Sequence, residues 1–449
     1  MINDNRRYDL KEYNRKQKTS AHSLKNLRLT FMSLSAAAVV LGFVLIGGLL
    51  GRAAGGQKGT NEDLTSASGV ATIGSISTPT PTIPFTVTEY LPDNPTADEY
   101  WGELEEAEAP IPYERFEVRG VYLNAAMNLE QNVELTKNSQ LNAVVIDLKE
   151  ADGVYFNSTN ELANSVGYVR NHYDLTAVCD YCHDNDVWVI GRIVCFKDPL
   201  LAETYPDRAI CDSTGEPLYF PNEGSEAFVS PYDSRNWDYL IDLAIEAIGM
   251  GVDEIQFDYV RFPTGSTSTE AEPYYGLTGE VPSKSDAINR FLQTARIRIQ
   301  DTLGVPVSAD IFGIAVTSSL DGDILGQDWA TVGLTGVDSL CPMIYPSHYA
   351  LGTVMNNVSY DYPDKYPYEM MYGALITGSQ YHDQENYSVV RPYLQAFTAA
   401  YLGSGRYMEY DYTAINDQIR ALQDAGQSEF ILWNAACEYP DGNYGGNND

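Results

Sequence analysis

The sequence predicts an α/β protein, a closed (β/α)8 TIM barrel preceded by a single transmembrane helix and a disordered linker. Three observations carry that expectation. From residue 116 to 440, apolar β-runs alternate with amphipathic helical stretches, the pattern of a parallel sheet with crossover helices. Eight such runs fit one closed barrel, with a doubly wound open sheet as the alternative; no G-x-G-x-x-G follows the first run, which counts against a dinucleotide fold. Upstream, LTFMSLSAAAVVLGFVLIGGLLG (29–51) contains no charged residue.

At ~1.5 Å per residue, that uncharged run is long enough to cross the ~30 Å hydrocarbon core as a signal-anchor. Residues 1–28 are a basic tail, in which Arg6, Arg7, Lys11, Arg15, Lys16, Lys18, Lys25 and Arg28 outnumber the acids. The positive-inside rule keeps this tail cytoplasmic, so the expectation is a single-pass cell-membrane protein with an extracellular C-terminal domain. Ala53 and Ala54 leave cleavage behind the span open. Residues 52–115 read as a linker: STPTPTIPFTVT is Ser/Thr/Pro-rich, and DEYWGELEEAEAP is an acidic run. The formal net charge of -34 and the lack of a Lys/Arg cluster after residue 28 exclude a nucleic-acid surface.

The predicted barrel, residues 116–440, places its strands at 119–124, 142–149, 187–194, 254–260, 305–312, 338–345, 391–397 and 429–434. Helices are expected over 234–251, where apolar residues recur at three- and four-residue spacing, and over 285–303. A hairpin around ICDSTGEPLYF turns at Gly215. Residues 441–449 read as a flexible tail. CDYCH (179–183) matches the C-x-x-C-H haem-attachment pattern, but Leu175, Val178, Cys179 and Cys182 share one helical face. The pattern is therefore read as a core helix, and no haem is expected.

Barrel strands alternate between interior and helix-packing faces, and barrel active sites form at the carboxyl ends. In EIQFDYV, Gln256 and Asp258 share the side opposite Ile255 and Phe257, so Asp258 is expected to point into the mouth. A carboxylate in so apolar a strand is costly unless it is paired or used. The same parity singles out Asp147 with Lys149, Ser308 with Asp310, Arg192 in mid-strand, and Arg391 with Gln395. Tyr345, His348, Trp433 and Asn434 lie at strand ends, and Arg261 follows Asp258 closely. Any one of these could be a satisfied ion pair; several carboxylates at equivalent strand ends form a constellation.

Other chemistries lack their residues. There is no H-x-H or H-E-x-x-H for a metal, no G-x-S-x-G elbow and no P-loop, so no metal or cofactor is expected. Two carboxylates beside Arg, Tyr and Trp suit glycoside cleavage, one protonating the leaving oxygen and the other attacking or activating water.

The blocks NAVVIDLKEADG, GRIVCFKDP, SPYDSRNWDYLIDLA, DEIQFDYVRFP, SADIFG, GQDW, PMIYPSHY, RPYLQAF and LWNA resemble, in order, the bacterial glycoside hydrolase-like domains of unknown specificity, over roughly residues 117–440. The resemblance implies a TIM-barrel glycosidase-like domain without naming a substrate. It carries over to Asp147, Lys149, Arg192, Lys197, Asp198, Asp258, Arg261, Asp310, Gln327, Asp328, Tyr345, His348, Arg391, Gln395 and Asn434. One departure is Ala396, where the family pattern calls for an acid after the Gln.

The expectation is thus a membrane-anchored extracytoplasmic glycosidase acting on a cell-surface or environmental polysaccharide. Asp258 is assigned as nucleophile or base and Asp310 as acid. Asp147, Lys149, Arg192, Arg261, Tyr345, His348, Arg391, Gln395, Trp433 and Asn434 are assigned to substrate binding. The alternative is a non-catalytic glycan-binding or scaffolding ectodomain on the same barrel.

Overall fold

A computed structural model describes residues 95–267 and 281–445. Eight strands pair in parallel around a closed circuit: β1 (Arg119–Leu123), β2 (Ala143–Glu150), β3 (Trp188–Val194), β4 (Glu254–Asp258), β5 (Val307–Phe312), β6 (Ser339–Ile344), β7 (Tyr393–Gln395) and β8 (Phe430–Trp433). β8 returns to β1 with Arg119 opposite Phe430, so the circuit has no edge. The barrel is the one expected from the strand–helix alternation.

The helices lie outside the strands. Ser234–Ile248 is capped by Asp233, and Lys284–Ala295 by a reciprocal Ser283–Asp286 box. Ile255 and Phe257 of β4 face this layer, where the Phe257 and Phe291 rings lie 5.1 Å apart. Leu175–His183 buries Cys179 and Cys182 on its inner face, as the helical reading of CDYCH requires. Cys211 bridges Pro217 across the turn at Gly215 (φ 90°), which forms the expected hairpin.

The inward face is polar along much of its height. At the amino ends of the strands Arg391 is fully buried: its Nη1 donates to Glu254 (2.6 Å), its Nε to Glu429 (2.9 Å) and its Nη2 to Ser339 (3.0 Å). Arg115 closes this floor against Glu429 and, at 3.2 Å, Asp338.

Three boundaries differ from expectation. Residues 95–115, read as the end of the linker, form a strap docked on the barrel. Trp101 stacks on Tyr232 at 6.1 Å, Arg290 pairs with Asp98, and the Ile111 N–H donates to the Asp301 carbonyl. The acidic composition concealed these apolar anchors. Residues 441–445, read as tail, pack as well, with Tyr444 fully buried. β4 ends at Asp258 rather than residue 260, because Tyr259 takes φ 47°. Among the described residues no helix is long and apolar enough to cross a membrane; the predicted span 29–51 lies outside them.

Breaking a buried ion pair from one side leaves an uncompensated charge. Arg391→Met strands Glu254 and Glu429 and is expected to lower stability by ~3–5 kcal/mol, read as a lower urea midpoint at an unchanged slope.

Candidate active site

At the carboxyl ends of β2 to β5 the inward positions converge on one guanidinium. Arg192 of β3 donates through Nε to Asp258 Oδ2 at 2.9 Å and through Nη1 to Asp147 Oδ1 at 2.5 Å. It also pairs with Glu150 at the end of β2, and its Nε stands 3.9 Å from Asp310 Oδ2. The parity argument for Asp147, Asp258 and Asp310 therefore holds, and all three meet at Arg192.

The carboxylates are not equivalent. Asp258 is fixed at both oxygens, since Oδ1 accepts its neighbour's backbone N–H, from Tyr259, at 2.5 Å. Asp147 accepts from Tyr122 Oη at 2.6 Å as well as from Arg192. Neither oxygen of Asp310 has a hydrogen-bond partner among the described residues, although the residue is only 1 % exposed. Burial, then the neighbouring Asp258 charge, pushes the Asp310 carboxyl well above the ordinary range, with Arg192 opposing. Burial pushes Asp147 up to about 7, with Arg192 opposing.

The other half of the mouth is aromatic. Tyr345, after β6, lies 5.7 Å from Trp433 of β8 and 5.0 Å from His348. Phe397 meets Trp433 edge-on at 5.2 Å, and Tyr122 of β1 stacks on Trp433 at 6.0 Å. Burial lowers His348 to about 4, so the imidazole is neutral at physiological pH. Charged groups thus occupy the β2–β5 arc and aromatic rings the β6–β1 arc.

Five predicted binding residues have other occupations. Arg261 forms a bidentate pair with Glu223 (2.9 and 3.0 Å), because the turn at Tyr259 carries it away from Asp258. Lys149 pairs with Asp198 at 2.9 Å; the register shifts between Asp147 and Lys149 and breaks the alternation that put them on one side. A Cβ at Gly191 would lie 2.4 Å from Leu148 Cδ1, so this irregular stretch also needs a glycine opposite it. Arg391 precedes β7 and therefore sits in the floor, remote from the strand ends. Gln395 is buried, donating to Asp364 and accepting from the Ser347 N–H. Asn434 donates to the Glu438 carbonyl of its own turn and to the Ala396 carbonyl just beyond β7.

Sequence reasoning missed Glu150, Tyr122 and Phe397. Tyr122 shares the inward parity in RGVYLN, and Phe397 lies two residues past Gln395, so both were within reach of the same test. Glu150 carried no such signal. Of the motif positions, Gln327 braces β4 to β5, donating to the Val260 and Asp310 carbonyls, and Asp328 caps Trp329–Val332. A cavity of about 650 Å³ lined by Gln131, Asn132 and Glu134 opens elsewhere, on the flank beside residues 439–443. It includes none of the mouth carboxylates.

These features define a β/α barrel with an acid-and-aromatic mouth. The chain belongs to a family described as a putative glycosyl hydrolase domain, whose model matches residues 118–439. Among solved structures it is similar to a hypothetical protein from Ruminiclostridium thermocellum, at 35% identity over 42% of this chain and 96% of that one, with a TM-score of 0.37. It is also similar to the PgaB (BpsB) glycoside hydrolase domain from Bordetella bronchiseptica, at 14% identity, 72% and 95% coverage and a TM-score of 0.50. That second likeness shows the barrel fold. An alpha-galactosidase from Thermus thermophilus follows at 11% identity, 74% and 60% coverage and a TM-score of 0.44. No curated protein matches the chain.

The Asp147 shift has a sign in stability. A carboxyl raised to about 7 in the folded state binds its proton there more tightly than in the unfolded chain. Its contribution is complete below the unfolded value near ~4 and is lost as pH rises through 7. Urea unfolding of wild type beside Asp147→Asn, at pH 4.5 and 7.5, is expected to show a smaller fall across that interval in the variant.

Proposed function

We propose that the protein is a membrane-anchored, extracytoplasmic glycosidase that cleaves a cell-surface or environmental polysaccharide with two carboxylates. The observation that carries this reading is the contrast within one pair. Asp258 is ion-paired and held at both oxygens, while Asp310, beside it, is buried without a hydrogen bond at either oxygen, and its carboxyl is pushed up by burial. That is the division between nucleophile and acid that glycoside cleavage needs. The aromatic arc offers flat apolar faces to a sugar ring, and family membership supports the same class.

The reaction runs in two displacements. Asp258 Oδ attacks the anomeric carbon as the glycosidic C–O bond breaks, and the Asp310 proton goes to the leaving oxygen. Asp310, now a carboxylate, takes a proton from water, whose oxygen attacks the anomeric carbon and releases Asp258. Arg192 balances charge on Asp258 throughout. Its Nε is 2.9 Å from Asp258 Oδ2 and 3.9 Å from Asp310 Oδ2, so those oxygens are separated by no more than the sum of the two reaches. This falls short of nearly all of the ~6.5–9.5 Å range of inverting enzymes and favours retention. The uncharged run 29–51 and its basic flank support the anchor.

A glycan-binding ectodomain without turnover is the second reading, favoured by the burial of Asp258, only 4 % exposed. Sugar release by residues 95–449 from purified wall and capsule glycans separates the two. The enzyme predicts release that Asp258→Asn and Asp310→Asn each lower by about 10²-fold or more, with the first-formed product keeping its anomeric configuration by NMR. Glycan binding without release, equal in all three proteins, would establish the scaffold instead.

A further inference from the structure

The mechanism does not use Tyr259, yet its geometry is costly. It takes φ 47°, a left-handed conformation that a bulky aromatic residue rarely adopts. Among the described residues it is the only aromatic one with positive φ; the other non-glycine ones are Ala, Asn, Asp, Ser and Cys. Such strain persists only where the surroundings enforce it, and it concentrates at functional sites.

The enforcing contacts are specific. Lys197 Nζ stands 5.2 Å from the centre of the Tyr259 ring, and Arg261 Cζ 4.8 Å. Each cation is itself anchored, Lys197 by Glu226 at 2.9 Å and Arg261 by the bidentate pair with Glu223. The backbone is held too, with the Tyr259 carbonyl accepting from the Phe196 N–H at 3.2 Å and the Asp258 carbonyl from the Cys195 N–H at 2.7 Å. The Tyr259 N–H closes onto Asp258 Oδ1 at 2.5 Å, while Arg192 holds Oδ2.

We propose that Tyr259 is a positioning residue: its ring, held between Lys197 and Arg261, locks a strained turn whose backbone N–H fixes the Asp258 carboxylate in a single orientation. This accounts for two residues that otherwise touch nothing at Arg192. Lys197 and Arg261 act on Asp258 through Tyr259, one step removed from the reacting atoms. It also explains why the chain leaves the β4 ladder directly after its carboxylate. The inference rests on the role given to Asp258 above.

Two substitutions separate positioning from simple packing. Tyr259→Gly permits the positive φ and removes the ring, so the fold keeps its turn but loses the lock. Tyr259→Phe keeps the ring and the cation contacts. Crystals of Tyr259→Gly are expected to show the Asp258 carboxylate in more than one rotamer, with the Arg192 contact partly lost; Tyr259→Phe should show the single wild-type rotamer. On a cleaved glycan, Tyr259→Gly should lower kcat at least tenfold with KM within about twofold, and Tyr259→Phe should restore it. A single, unchanged Asp258 rotamer in Tyr259→Gly overturns the proposal. The crystallographic result needs no substrate, so it decides the role of Tyr259 even if wild type cleaves no glycan, an outcome that would count against the glycosidase reading alone.

Discussion

Everything at the mouth depends on one guanidinium with more anions than it can satisfy. Arg192 lies in a nearly dry site with Asp147, Glu150, Asp258 and Asp310 around it. A single positive charge cannot neutralise four buried or half-buried carboxylates. The cheapest response is to keep some of them protonated, which removes the desolvation penalty with the charge. The upward displacement of Asp310 and Asp147, each led by burial, is that response. The raised carboxyl that the proposed general acid needs therefore arises from burial at the crowded mouth itself.

The floor of the same barrel makes the contrast plain. Arg391 is as buried as any residue in the protein and also faces several acids, yet its guanidinium is paired at Glu254, Glu429 and Ser339, and Arg115 supplies a second cation. A saturated polar network rigidifies a core and performs no chemistry. At the mouth, Asp310 keeps two buried oxygens without partners. Other buried side chains of the described residues leave single polar atoms without a hydrogen bond, but Asp310 leaves both of its oxygens so, between an arginine and an ion-paired carboxylate. Charge and burial alone would have ranked the two ends equally; hydrogen-bond satisfaction separates them.

Much of this was legible in the sequence because strand parity is rigid. Gln256 and Asp258 had to face opposite to Ile255 and Phe257, and the ring contact of Phe257 with Phe291 shows that they do. The failures share a cause: they are places where the period breaks or where distance along the chain misleads. Lys149 lies past a register shift and loses the side that counting assigns, and Arg261, near Asp258 in sequence, is carried away from it by a left-handed turn. Arg391 keeps its side but occupies the wrong end of its strand, which parity cannot report. Gln395 and Asn434 stand near the right end, but neighbouring loop carbonyls and side chains consume them. The strap was hidden because Trp101 and Ile111 are sparse anchors in an acidic run whose average suggests solvent.

The division of the mouth into two arcs gives the barrel its chemical direction. A pyranose is itself two-faced, with polar edges and an apolar C–H face that packs on aromatic rings. Rings on β1 and β8 and just beyond β6 and β7 form one wall, and Arg192 with its carboxylates forms the other. A sugar seated on Trp433 would turn its ring edge toward Asp258 and Asp310. Burial, then the Asp258 charge, raises the Asp310 carboxyl, and burial, then the Asp310 and Asp258 carboxylates, raises the Tyr345 hydroxyl. On the proposed reading, binding surface and acid pKa are then two consequences of the same packing, so a change that opens the aromatic arc to water would lower the Asp310 pKa and leave less of it protonated, as well as loosening the grip on a sugar.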